Sequence, residues 1–87
     1  KNRRRILMND LETRIRAMVA KRVGCDVEAV DPEQDFADIG LKSLDAVIIS
    51  GHLEDLLGIE IDPSTMFENR TINAVASKIR ELQKNAS

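Results

Sequence analysis

Apolar residues in this chain fall into three helical stripes separated by polar connections marked by glycine and proline. Leu11, Ile15, Met18 and Val19 recur at i, i+4, i+7 and i+8, which puts them on one face of a helix. Asn9 and Glu12 have capping-box spacing and Gly24 supplies a stop, so the first helix is predicted over 9–23. The second runs over 43–57 and stops at Gly58. Thr71 caps the last helix, with Ile72, Val75, Ala76, Ile79 and Leu82 on one side. Pro63-Ser64-Thr65-Met66-Phe67 suits a one-turn helix with Pro63 at its first position and Asp62 as its cap, after a short extended or turn segment over 59–62. A long acidic connection, 25–42, contains Asp31-Pro32 and has Val27, Val30, Phe36 and Ile39 as inward anchors. The pattern predicts an all-α fold, a small four-helix bundle of three long helices and one short helix. The boundaries are a basic linker or remnant over 1–8, one domain over 9–84 and a tail over 85–87.

The second helix carries more apolar surface than one stripe needs. At ~100° per residue from Ser43, Ala46, Ile49, Leu53, Leu56 and Leu57 cluster around ~270° and form the predicted core stripe. Leu44, Val47, Ile48 and Gly51 lie between ~40° and ~140°, beside the serine. A surface helix buries one stripe, so the second face predicts either extra burial against the acidic connection or a partner site.

Composition narrows the function classes. With 87 residues the chain forms one small domain, and two Phe with no Trp or Tyr leave the core to Leu, Ile, Val, Met and Ala. No apolar run approaches the ~20 residues of a membrane span, and no signal peptide is evident, which predicts a cytoplasmic, monomeric domain without membrane contact. One Cys (Cys25) and one His (His52) cannot make a zinc site of three or four protein ligands. The net charge of −2 hides a basic start, Lys1, Arg3, Arg4 and Arg5, and an acidic middle in which Lys42 is the sole Lys or Arg between Asp26 and Glu68. That field favours basic partner surfaces and argues against nucleic acid. The start at Lys1 predicts a domain taken from a longer polypeptide or a processed chain.

Candidate chemistry concentrates at Asp38-Ile39-Gly40-Leu41-Lys42-Ser43-Leu44-Asp45. There a serine stands where a loop becomes a helix, and the unpaired N–H groups and macrodipole of a helix start favour a phosphate. Ser43 is no hydrolytic nucleophile, because His52 lies ~180° around the same helix, more than two turns on. Ser50-Gly51 is not a nucleophile elbow, Cys25 has no activating neighbour in sequence and is expected to pack modestly, and the carboxylates follow no calcium-loop pattern.

Gly40-Leu41-Lys42-Ser43-Leu44 resembles the G-x-D-S-L motif of acyl and peptidyl carrier proteins. Asp35 to Gly40, Leu57-Gly58-Ile59-Glu60-Ile61 and Met66-Phe67-Glu68-Asn69-Arg70-Thr71-Ile72 resemble the flanking landmarks of polyketide and nonribosomal-peptide carriers, in the same order. The resemblance implies that Ser43 bears 4'-phosphopantetheine, whose thiol holds acyl groups as thioesters, and that the domain itself is not catalytic. It implies recognition through Leu41, Leu44, Val47, Ile48, Gly51, Glu54 and Asp55. The implied partners are a phosphopantetheinyl transferase, an acyl-loading enzyme (adenylating ligase or acyltransferase), and a ketosynthase or condensation domain. Lys42 departs from the motif's Asp: it cannot cap the helix, but it is a candidate contact for the arm's phosphate. Ser50-Gly51-His52-Leu53-Glu54-Asp55 is similar to loading carriers charged by an acyl-adenylating ligase. The alternatives are a peptidyl carrier and, from another class, an unmodified helical interaction module that uses the second helix as a groove partner.

Overall fold

The computed structural model describes the backbone of residues 2–86 and the side chains of residues 11–85. In chain order it contains α1 (Asn2–Val23), a 3₁₀ turn (Val27–Ala29), α2 (Phe36–Ile39), α3 (Ser43–Leu57), α4 (Ser64–Glu68) and α5 (Ile72–Ala86). The helix α1 packs against α5 and α3, and the short α4 bridges α3 and α5. Among the described residues no helix is long and apolar enough to cross a membrane.

The predicted stripes meet in one core. Leu11, Ile15 and Val19 of α1 are buried together with Ile49 and Leu53 of α3 and Ile72, Val75, Ala76 and Ile79 of α5. Val30 and Phe36 of the long connection join them, and Val27 and Ile39 pack partly against the cluster. Thr71 caps α5 as predicted, its Oγ1 accepting from the Ala74 N–H at 3.1 Å. Asp62 Oδ1 accepts from the Ser64 N–H at 2.9 Å, so Asp62 caps α4 one residue ahead of the helical Pro63.

Three expectations change. The helix α1 starts at Asn2, so Asn9 lies in its interior, and the linker expected over 1–8 continues α1 from residue 2 onward. That basic stretch contains neither Gly nor Pro and is rich in straight-chain helix formers, so nothing stops the helix there. Glu12, read as half of a cap, instead binds Arg80 of α5 through two bonds of 2.5 and 2.6 Å. Along α3 the buried arc is Ala46, Ile49, Ser50 and Leu53, while Leu56 is exposed and Leu57 half-buried. The arc is centred nearer ~290° than ~270°, which takes in Ser50 and leaves out Leu56. Cys25, expected to pack modestly, is exposed.

Ser50 enters the core with a hydroxyl that finds no partner. A buried unsatisfied polar group costs about 1–3 kcal/mol, and alanine is the better helix former. Ser50→Ala is therefore expected to raise the unfolding free energy by about 1 kcal/mol, read as a higher denaturant midpoint at unchanged slope.

The connection over 25–42 is held by long-range bonds as well as by its own turns. Arg16 of α1 donates to the Val30 carbonyl at 2.7 Å. The Phe36 N–H donates to the Arg70 carbonyl at 2.8 Å and the Asn73 N–H to the Pro32 carbonyl at 3.2 Å. Asn73 also donates from Nδ2 to the Glu33 carboxylate. These tie the loop to the entrance of α5 and set the approach to α3.

Candidate functional site

The loop turns into α3 at Gly40, whose φ of +104° is a backbone conformation that side chains with a Cβ rarely adopt. Gly40 closes α2 there, its N–H donating to the Phe36 and Ala37 carbonyls. Leu41 follows, partly buried against the core. Lys42 is the last extended residue, and Ser43 is the first residue of α3, exposed. A lysine offers no acceptor to the helix's free N–H groups. Asp45 supplies the reciprocal half of a capping box, with Oδ2 accepting from the Lys42 N–H at 3.0 Å. Its Oδ1 accepts from Arg22 Nε at 2.9 Å. The start of α3 is thus fixed from the helix side and from α1, without using the serine.

Beside Ser43 opens a cleft of about 370 Å³. Its apolar walls include Phe36 and Leu41 of the loop and Met66 and Phe67 of α4, and the two cations along it are Lys42 and Arg70. Phe36 and Met66 are buried, whereas Phe67 is 44% exposed. Arg70 binds Asp35 in a two-point pair, from Nε at 2.7 Å and from Nη2 at 3.0 Å. Asp35 is also the N-cap of α2, accepting from the Ala37 N–H at 2.8 Å. Sequence reasoning left out Arg70, Phe67 and Met66. All three lie in the Met66-to-Ile72 landmark, but periodicity carries no sign that this segment faces the serine.

The expected recognition residues divide. Leu44 is 66% and Val47 47% exposed. Gly51 and Asp55 are exposed and Ile48 is half-buried. Leu44 therefore does not lean on the acidic connection. Glu54 has an internal task, its Oε2 accepting from the Ile61 N–H at 2.7 Å. Gly51 has open space where a Cβ would stand, so no neighbour inside the domain requires a glycine there. His52 is exposed.

Asp35, Asp45 and Glu12 are each more acidic here than in an unfolded chain. The Arg70 guanidinium, then the Ala37 N–H, holds Asp35 down; the Lys42 N–H, then Arg22, holds Asp45 down; Arg80 does so for Glu12. A depressed folded value contributes stability in full above the unfolded value of about 4 and loses it as pH falls through the folded one. Urea midpoints are expected to stay level from pH 7 to 5 and to drop below about pH 4. Asp45→Asn should flatten that drop.

The site fits a phosphodiester-linked arm on three counts. Ser43 is exposed at the first residue of a helix, the cations Lys42 and Arg70 lie along the cleft beside it, and apolar side chains form part of that cleft's wall. Comparison with known proteins agrees. The family model described as "Phosphopantetheine attachment site" matches residues 13–79. The chain is 46% identical over 55 residues to a phenolphthiocerol/phthiocerol polyketide synthase protein of Mycobacterium tuberculosis, a match covering 63% of this chain and 3% of that protein. It is 40% identical over 53 residues to the mycoketide-CoA synthase of the same organism, covering 61% of this chain and 1% of that one. Among solved structures, a free-standing peptidyl carrier protein of an Acinetobacter baumannii secondary metabolic pathway superposes with a TM-score of 0.77 at 40% identity, covering 83% of this chain and 91% of the other. BlmI, a type-II acyl carrier protein of Streptomyces verticillus, gives 0.81 at 28% identity and covers 94% and 96%. An outward serine, its helical platform and this match lead to one conclusion: the chain belongs to the phosphopantetheine-attachment family, helical carrier domains that bind 4'-phosphopantetheine covalently on a serine.

Proposed function

We propose that Ser43 is the attachment serine and that the domain carries acyl intermediates between the active sites of a polyketide or mixed polyketide/peptide synthase. The observation that carries this reading is the exposure of Ser43 at the mouth of the Phe36–Phe67 cleft, inside the one segment that matches the carrier motif. The arm, when attached, supplies a thiol that holds the acyl group as a thioester. The chain's own residues do the rest. Asp45 and Arg22 hold the start of α3 still, Lys42 offers a charge to the phosphate, and the loop keeps the hydroxyl outward.

Leu44, Val47, Ile48, Gly51 and Asp55 form the face on which a transferase, a loading ligase or acyltransferase, and a ketosynthase or condensation domain dock in turn. A glycine in an exposed helix interior costs about 1 kcal/mol relative to alanine. With no crowding inside the domain at Gly51, close approach of a partner is the reason left for it. Leu41 and Glu54 act through the fold, one packed partly against the core and one on Ile61.

The mycobacterial synthase relatives favour the polyketide setting, and the likeness to the Acinetobacter carrier favours a peptidyl carrier as second reading. For the finer proposal, a loading carrier charged by an adenylating ligase, the support is Gly51, His52 and Asp55. The other residues of that six-residue segment, Ser50, Leu53 and Glu54, are used by the fold. Intact-mass analysis after incubation with coenzyme A and a broad-specificity transferase tests the attachment. Incubation with an adenylating ligase and fatty acids, against a ligase and amino acids, separates the two settings.

A further inference from the structure

Arg70 is held at both ends. Its carbonyl accepts from the N–H of the buried Phe36 at 2.8 Å, and its guanidinium grips Asp35 with Nε and Nη2. Asp35 is in turn anchored by the Ala37 N–H. The Arg70 side chain is therefore aimed by the loop rather than free to roam, although about half of its surface (53%) is open to solvent. The Asp35 pair uses two of the five guanidinium N–H groups. A guanidinium suits a second, tetrahedral anion on its remaining edge, because its donors form a fixed planar fork. Arg70 and Ser43 line the same cleft. The other cation there, Lys42, is exposed on a flexible four-carbon stem.

We propose that Arg70 is the phosphate-positioning residue of this domain: once Ser43 carries the arm, the Arg70 guanidinium pairs with the phosphodiester while still holding Asp35, and so fastens the root of the arm to the 25–42 loop. The proposal rests on Ser43 being the attachment serine. The charges around Arg70 set its strength. Asp35 competes for the same guanidinium and Asp38 adds negative field, whereas Lys42 is the other cation along the cleft.

The test uses the full chain converted to its holo form with coenzyme A and a broad-specificity transferase, each product verified by mass. One readout is the phosphorus resonance of the phosphodiester, folded against urea-unfolded. The second is the set of Arg70 Nη–H resonances, apo against holo. The folded wild type is expected to show a displaced phosphorus resonance that Arg70→Gln largely abolishes. Arg70→Lys should restore it in part, since the charge returns without the fork. Asp35→Asn should enlarge it, because asparagine still caps α2 but no longer competes for the guanidinium. Lys42→Gln should leave most of it in place. The Arg70 Nη–H resonances should move on conversion to holo. Unmoved Nη–H resonances in the wild type overturn the proposal even if Arg70→Gln fails to fold. A displacement that survives Arg70→Gln, or that Lys42→Gln alone removes, overturns it as well. Absence of any holo product would overturn the attachment reading too, which separates the two failures.

Discussion

Ser43→Ala is expected to take up no phosphopantetheinyl group from coenzyme A under conditions that convert the wild-type chain fully. Its unfolding free energy should stay within about 0.5 kcal/mol of wild type. The second half of that result follows from how α3 begins. Lys42 is the N-cap, Asp45 closes the first turn onto the Lys42 N–H, and Arg22 steadies Asp45 from α1. The fold therefore asks nothing of the Ser43 hydroxyl, and alanine is a good helix former. Intact mass and a urea melt on the same sample read both quantities. Ser64 and Ser77 are also exposed. An increment that persists in Ser43→Ala would move the attachment to one of them and end the Ser43 reading.

Leu53→Ala should lower the unfolding free energy by about 2–5 kcal/mol, while Leu44→Ala on the same helix changes it by less than about 0.5 kcal/mol. Leu53 is fully buried and Leu44 is 66% exposed. In a domain of this size each kcal/mol moves the melting temperature by about 4–8 °C, so the first variant melts far below wild type and the second beside it. The contrast tests the two-faced reading of α3 directly. Equal losses would mean that Leu44 packs inside the domain in solution, and the exposed apolar strip beside Ser43 would no longer be available to partners.

The three stripes are readable because each is local: Leu11-Ile15-Val19 and Ile72-Val75-Ala76-Ile79 repeat at helical spacing and need no knowledge of the rest of the chain. Ser43 is readable for a related reason, since its motif is contiguous. What sequence does not show is set by distance along the chain. Arg70 reaches Asp35 across 35 residues and Arg80 reaches Glu12 across 68. No periodicity reports such pairs, so the charged wall of the cleft stays hidden, and Glu12 reads as a cap. The helix α2 lasts only Phe36–Ile39, too short to nucleate by itself, and owes its form to Asp35 at its start and to the Phe36–Arg70 bond. Ser50 and Leu56 exchange places because the buried arc is turned by ~20°, a rotation set by packing rather than by spacing.

The way α2 is held divides the serine's surroundings into a stiff half and a compliant half. α3 is secured by fifteen residues of backbone ladder and by the core beneath it, whereas the four-residue α2 rests on Phe36 in the core, on its Asp35 cap and on a solvent-exposed ion pair of modest strength. Local opening beside Ser43 therefore costs less on the α2 side than on the α3 side.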